Sequence, residues 1–211
     1  MAVDRIQAGL IAFCAGESAT DEVLAVAREL VRARAGPDVA GSQPPACGLP
    51  IGWATGPTAV DGRRSLIGVA VGTPGDDGRA AAAAQAVAAM ASYAVARAPV
   101  FSVMAAGIEE AGAYGRGELT NAAVGSWRPP HEDGAGDPLP TVAAVIAALR
   151  AGEGAPAGVM RAGGELGGAA VSALAVAIAA SRGETLDGID PDGADRAELA
   201  RLAEGLSALR E

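Results

Sequence analysis

Apolar residues recur along this chain at two different periods. Over residues 20–35, Val23, Ala27, Leu30 and Val31 fall on one helical face. They follow a Thr20 able to cap, and Asp21 and Glu22 suit the positive end of a helix dipole. Gly36-Pro37 ends that helix. A long Ala-rich helix is expected over about 79–97, opened by Thr73–Gly78 and interrupted by Pro99. Beyond it Val100, Met104 and Ile108 repeat every four residues and favour another helix. Thr141 starts a helix with Val142, Val145, Ile146 and Leu149 inward and Gly152 as its stop. Gly163–Gly168 leads into one that aligns Val171, Leu174 and Ile178. Asp190-Pro191-Asp192 opens the last, whose seam is Leu199, Leu202, Leu206 and Leu209. Residues 4–15 carry Ile6, Leu10, Phe13 and Cys14 at helical spacing, although Ile6, Ala8, Leu10 and Ala12 also alternate as in a strand.

Elsewhere the period shortens. Leu49–Ala54 reads as a strand. In Ser65–Gly72, Ile67, Val69 and Val71 share one face and Leu66, Gly68, Ala70 and Gly72 the other, with Asp61-Gly62 as a hairpin signal between the two runs. The sum is a helix-rich α+β or α/β fold, one globular domain over 1–211 with few strands among packed Ala/Gly-rich helices. Residues 37–48 and 113–140 are loop-rich, and no internal repeat at a fixed period stands out.

Composition narrows the chemistry. Half of the residues are apolar but only 3% are aromatic, so the core must be built from Ala, Val, Leu and Ile with backbones close together. All 16 basic residues are arginine against 25 acidic ones, a net charge of −9. That balance, with no basic run, repels phosphate backbones and argues against a nucleic-acid partner. The lysine-free, Ala-heavy usage also carries the mark of GC-rich, bacterial-type coding. Lacking lysine, the chain has no Schiff-base lysine, Ser–Lys dyad or phosphate-loop lysine. His131 is the sole histidine, which removes two-histidine zinc sites and makes it the base in any Ser–His or Cys–His mechanism. Two cysteines make no disulfide framework, no leader-like N-terminus is evident, and the longest apolar stretch, Leu166–Ala180, falls short of the ~20 residues a bilayer needs. The expectation is a cytoplasmic protein without a membrane partner.

The densest chemistry lies in Ala113–Asp137, read as a long loop. There His131 would serve as acid/base, Arg116 or Arg128 would hold an anionic group, Trp127 would stack, and Tyr114 and Asn121 would complete the lining. His131, Glu132, Asp133 and Asp137 make a poor metal set, because consecutive side chains in an extended segment diverge. Gly163, Gly164 and Gly167 resemble an anion-cradling turn before a helix, although tight helix packing explains them as well. Cys47 would be a nucleophile only if His131 approached it, and a buried filler otherwise. The acidic run Asp187–Asp195 lacks the charged anchors of a calcium loop and reads as a helix cap. Two functions follow from this inventory. One is a small-molecule enzyme acting on an anionic substrate at the 113–137 loop. The other is a non-catalytic homo-oligomeric assembly or ligand-binding protein, joined through the small-residue faces of 79–97 and 164–181. No residue pattern names a cofactor.

Overall fold

The structure is a computed structural model that describes residues 1–15, 20–33, 45–71, 78–130, 137–183 and 195–210. In chain order its helices are α1 Ala2–Cys14, α2 Thr20–Ala33, α3 Gly48–Ala54, α4 Val60–Val71, α5 Arg79–Val95, α6 Val100–Val124, α7 Leu139–Ala151, α8 Pro156–Ala180 and α9 Arg196–Ala208. The described residues contain no strand, so the fold is an all-helical bundle and not the α+β or α/β domain that the patterning suggested.

Alanine decides the architecture. No residue of α5 is exposed; Ala82–Ala84, Ala86–Ala91 and Ala94 are all buried, so every face of this helix meets another. A helix apolar all round belongs in the middle of a bundle, and side chains this thin let neighbours approach closely. α5 packs on α3, α4, α6 and α7 and also touches α1 and α8. Gly48 and Gly52 of α3 give the tightest approach: a Cβ on either would lie within 2.4 Å of the Ala84 or Ala88 carbonyl oxygen of α5. α7 packs on α6 and α8, while α1, α2 and α9 close the other side. Arg28 ties α2 to α9 by donating from Nε to Glu198 Oε1 at 2.7 Å.

Both expected strands are helices. Residues 48–54 are buried on all sides, so no period distinguished helix from strand there. In α4 the inward residues are Arg63, Ile67 and Ala70, while Val69 is 43% exposed, so Asp61-Gly62 lies inside a helix and turns no hairpin. Arg63 is only 1% exposed; it donates to the Gly56 carbonyl at 3.0 Å and to Glu110 Oε1 at 3.2 Å. The helix ends nearby are held by Arg210, which donates to the carbonyls of Gly52, Trp53 and Ser92 at 3.0, 2.9 and 3.3 Å. Burial and the nearby Arg5 and Arg63 charges lower the Arg210 pKa to about 10, and the carbonyl ends of α3 and α5 offset that cost.

Two of the helices share one design. α6 and α8 are each 25 residues long and each breaks at a glycine of positive φ, Gly112 (φ 56, ψ −144) and Gly168 (φ 72, ψ −158). Around the breaks, Val103-Met104-x-Ala106-Gly107-x-Glu109-x-x-Gly112-Ala113 recurs as Val159-Met160-x-Ala162-Gly163-x-Glu165-x-x-Gly168-Ala169. The register extends upstream. Arg97 and Glu153, the two non-glycine residues of positive φ among those described, occupy the same place in the α5–α6 and α7–α8 linkers. The chain thus holds two tandem helical hairpins that sequence inspection alone had not revealed.

By length and composition α8 is apolar enough to cross a membrane, with half of the relevant window buried. Its break at Gly167–Gly168 divides it into two pieces, each well short of ~20 residues. Across that break Ser172 Oγ donates to the Met160 carbonyl at 3.1 Å, so the two pieces fold against each other. Of the small-residue faces expected to join identical subunits, α5 and residues 173–180 are buried inside the chain, whereas Gly164 and Gly167–Ala170 are exposed. The acidic run Asp187–Asp195 lies, but for Asp195, outside the described residues, as do Gly36-Pro37, Thr73–Asp77 and Asp190–Asp192. Asp195 does cap α9, accepting from Ala197 N at 2.9 Å and Glu198 N at 3.2 Å.

Candidate functional site

The stretch read as a loop from Ala113 is helical to Val124. Its inward residues are Ala111, Gly115, Leu119 and Ala122, and Gly115 must be small because a Cβ there would lie 2.9 Å from Leu139 Cδ2. Gly125 (φ 83) then stops the helix in the left-handed conformation. Asn121 closes the turn, its carbonyl accepting from Ser126 N at 2.9 Å and Trp127 N at 3.0 Å. The reversal brings the Trp127 indole back alongside α6, where Nε1 donates to Glu118 Oε1 at 3.3 Å.

Arg79, at the start of α5, pins both ends of the 113–137 stretch. It donates to Asp137 Oδ2 at 2.6 Å, Glu118 Oε2 at 3.4 Å and the Tyr114 carbonyl at 3.3 Å. Asp137 in turn accepts from Leu139 N at 3.1 Å and so sets the start of α7. A charge-assisted knot of this kind holds a surface segment in one conformation.

Beside it lies an open cavity of about 200 Å³. The end of α6 supplies Trp127 and Arg128, α7 supplies Arg150, and the first piece of α8 supplies Glu165 and Leu166; alanines of all three helices floor it. Arg128 Nη1 donates only to carbonyls, Gly125 at 3.3 Å and Trp127 at 2.9 Å. The Arg150 guanidinium lies against Gly125, whose Cβ, were it present, would sit 2.9 Å from Cζ. Among the described residues neither arginine meets a carboxylate within 4.0 Å, and Glu165 meets no cation. Among the described residues, the cavity thus presents Arg128, Arg150 and Glu165 without an ion-pair partner around an apolar floor.

The expected site residues divide in three. Trp127 and Arg128 line the cavity, and the glycine-rich run 163–168 borders it through Glu165 and Leu166. Tyr114, Arg116 and Asn121 do not. Tyr114 is 58% exposed and lies over Gly78. Arg116 is exposed and sits two positions from Glu118, about 200° round the helix. Asn121 serves the turn. His131, Glu132 and Asp133 lie outside the described residues.

Of the remaining candidates, Gly163 and Cys47 are buried. Gly163 and Gly164 lie inside a helix, and Gly163 is there for packing: a Cβ on it would be 2.8 Å from Ser172 Cα. Gly167 is likewise close to Val171. Cys47 is fully buried, and burial pushes its thiol up to about 12, so the thiolate a nucleophile requires is strongly disfavoured. No group of three or more His, Cys, Asp or Glu able to hold a metal occurs among the described residues. Arg150 was not singled out from sequence, because an arginine in the last turn of a helix is an ordinary complement to its dipole.

No family model, curated protein or solved structure matches the chain. The cavity's chemistry has to be read from its own residues.

Proposed function

We propose that this protein binds a small anionic molecule in the cavity between α6, α7 and α8. The observation that supports this reading is the pair Arg128 and Arg150, two arginines lining one concavity with no carboxylate of the described residues within 4.0 Å of either, in a chain of net charge −9. A protein with so many acids has ample means to pair an arginine, and Arg63 and Arg64 share Glu110 while Arg79 meets Asp137. Guanidinium groups suit carboxylate and phosphate because their donors lie in a planar fork. Trp127, fixed at its N–H by Glu118, offers a rigid wall for the remainder of the ligand. A volume of about 200 Å³ lies below the ~300–1,000 Å³ of drug-sized sites, so the ligand is small.

The test uses the two tryptophans. Trp53 is fully buried and bonded to Ser181 Oγ at 2.9 Å, so its indole N–H signal is an internal control for that of Trp127. Titration with pentanoate or inorganic phosphate is expected to move the Trp127 signal saturably and leave Trp53 in place. Arg128→Met combined with Arg150→Met should abolish the response. An unmoved Trp127 signal with both anions, or an undiminished response in the double variant, refutes the proposal. An enzymatic role would fall to His131, the only side chain with a pKa ordinarily near neutrality. His131→Ala, with folding intact, should then abolish turnover while leaving anion binding measurable.

A further inference from the structure

We infer that the ligand of this cavity is a zwitterion, a small molecule carrying an ammonium group as well as its anion, in the manner of an α-amino acid. The inference rests on the anion-binding reading above and adds Glu165 to it. Arg128, Arg150 and Glu165 line the same small cavity, yet neither arginine lies within 4.0 Å of the glutamate. Opposite charges on flexible side chains around one concavity ordinarily close into an ion pair, as Arg28–Glu198 and Arg79–Asp137 do in this molecule at 2.7 and 2.6 Å.

Here both arginines lie against the turn after α6 instead. Arg150 is placed against the left-handed turn at Gly125, and Arg128 is turned onto the carbonyls of that same turn. Glu165 projects from a different helix, one turn before the break at Gly167–Gly168. Separated positive and negative walls are the complement of a molecule whose own charges are separated in the reverse sense. An anion without an amine would engage the arginines and leave the Glu165 carboxylate facing its apolar body. A zwitterion satisfies both walls, and Trp127, Leu166 and the alanines accept a short hydrocarbon side chain.

Three probes of nearly equal size separate the possibilities: L-norvaline, its deaminated counterpart pentanoate, and its decarboxylated counterpart butylamine. Titration calorimetry on the full chain is expected to show norvaline binding at least tenfold tighter than pentanoate, with butylamine weakest. Glu165→Gln should bring norvaline down to the affinity of pentanoate and leave pentanoate unchanged. Arg150→Met should weaken both. Pentanoate binding as tightly as norvaline, or a norvaline affinity untouched by Glu165→Gln, overturns the zwitterion and leaves the anion reading standing. If neither norvaline nor pentanoate binds, the zwitterion falls, and if inorganic phosphate also fails the anion reading falls with it.

Discussion

The two tandem hairpins, α5–α6 and α7–α8, begin from the same plan and are used for opposite purposes. In each, a second helix of 25 residues breaks at a glycine of positive φ. Past the break, the first hairpin presents Tyr114 and Arg116 outward and ends in the turn that carries Trp127. The second hairpin buries Val171 and everything from Ala173 to Ala180. Before the break the contrast reverses. Glu110 of α6 is neutralised by Arg63 and Arg64, whereas the matching position in α8 is Leu166, and the neighbouring Glu165 faces the cavity unpaired. One backbone motif thus supplies a structural ion pair in one copy and a candidate binding group in the other. The difference lies in which side chains surround the break and not in the break itself.

The sharpest way to test this contrast is at the shared glycine before each break. Gly163 faces the backbone of its own helix's second piece, where a Cβ would lie 2.8 Å from Ser172 Cα. Backbone cannot yield as a side chain can, so Gly163→Ala should destabilise by about 3 kcal/mol, near the upper end for overpacking. Gly107 faces the Met90 side chain, with a Cβ 2.8 Å from its Cγ. Methionine is flexible, and alanine gains about 1 kcal/mol of helix propensity over glycine. Gly107→Ala should therefore cost about 1 kcal/mol or less. Urea denaturation of the two variants decides; equal losses would mean that α6 and α8 are packed alike and that the contrast drawn above is wrong.

The same glycines show why the sequence was only partly legible. The large apolar stripes of α2, α7 and α9 could be read directly, because Val, Ile and Leu at helical spacing have no other meaning. From Ala113 onward the inward positions are Gly115, Leu119 and Ala122, so the helical face was marked by small residues that also mark loops. α4 was hidden by the reverse effect: its first inward residue is a charged Arg63, which left Ile67, the exposed Val69 and Val71 to suggest alternation. Of the cavity, Trp127 and Arg128 could be picked out because the stretch was chemically dense. Arg150 and Glu165 could not, since only the packing of α7 and α8 against the end of α6 unites them with it.

α3 packs on the first hairpin, and the residue that caps its start, Cys47, makes that support sensitive to alkali. The folded-state thiol titrates near 12 against a reference of 9.0, so the folded form holds its proton longer than the unfolded one. A raised folded pKa gives stability that is complete below pH 9 and lost as pH climbs from 9 toward 12, at about 1.4 kcal/mol per pH unit. By pH 11 the loss should be on the order of 2 kcal/mol. Comparing the pH dependence of urea midpoints for the native chain and Cys47→Ala checks this. The variant is less stable throughout but should lose less between pH 9 and 11, and parallel curves would assign the alkaline loss elsewhere.

At the breaks themselves the two hairpins should respond alike. A Cβ on Gly112 or Gly168 would meet nothing within 4 Å, so substitution there is opposed by backbone conformation alone. Both lie close to a region of φ and ψ that is essentially reserved for glycine, at a cost of about 1–3 kcal/mol for other residues. Gly112→Ala and Gly168→Ala should lower stability by similar amounts in that range, measured by thermal or urea unfolding. A large loss at one site with none at the other would show that the resemblance of the two breaks is superficial.

The smallest effect is the most informative about the cavity. Removing Arg79, which neutralises Asp137 and Glu118, leaves two carboxylates without their cation and should cost stability. Removing Arg150 leaves nothing unpaired, because its guanidinium has no acceptor among the described residues and lies at the surface. Arg150→Met keeps the length of the side chain and its packing against Gly125, so the unfolding free energy should change by less than about 0.5 kcal/mol. Its equivalent in the first hairpin is Ala94, fully buried, where no charge could be accommodated. An unchanged stability would support the proposed ligand role for this arginine, at a position its own duplicate fills with a core alanine. A clear loss of stability in Arg150→Met would instead make it a structural cap on the end of α6, and would leave the proposed anion site resting on Arg128.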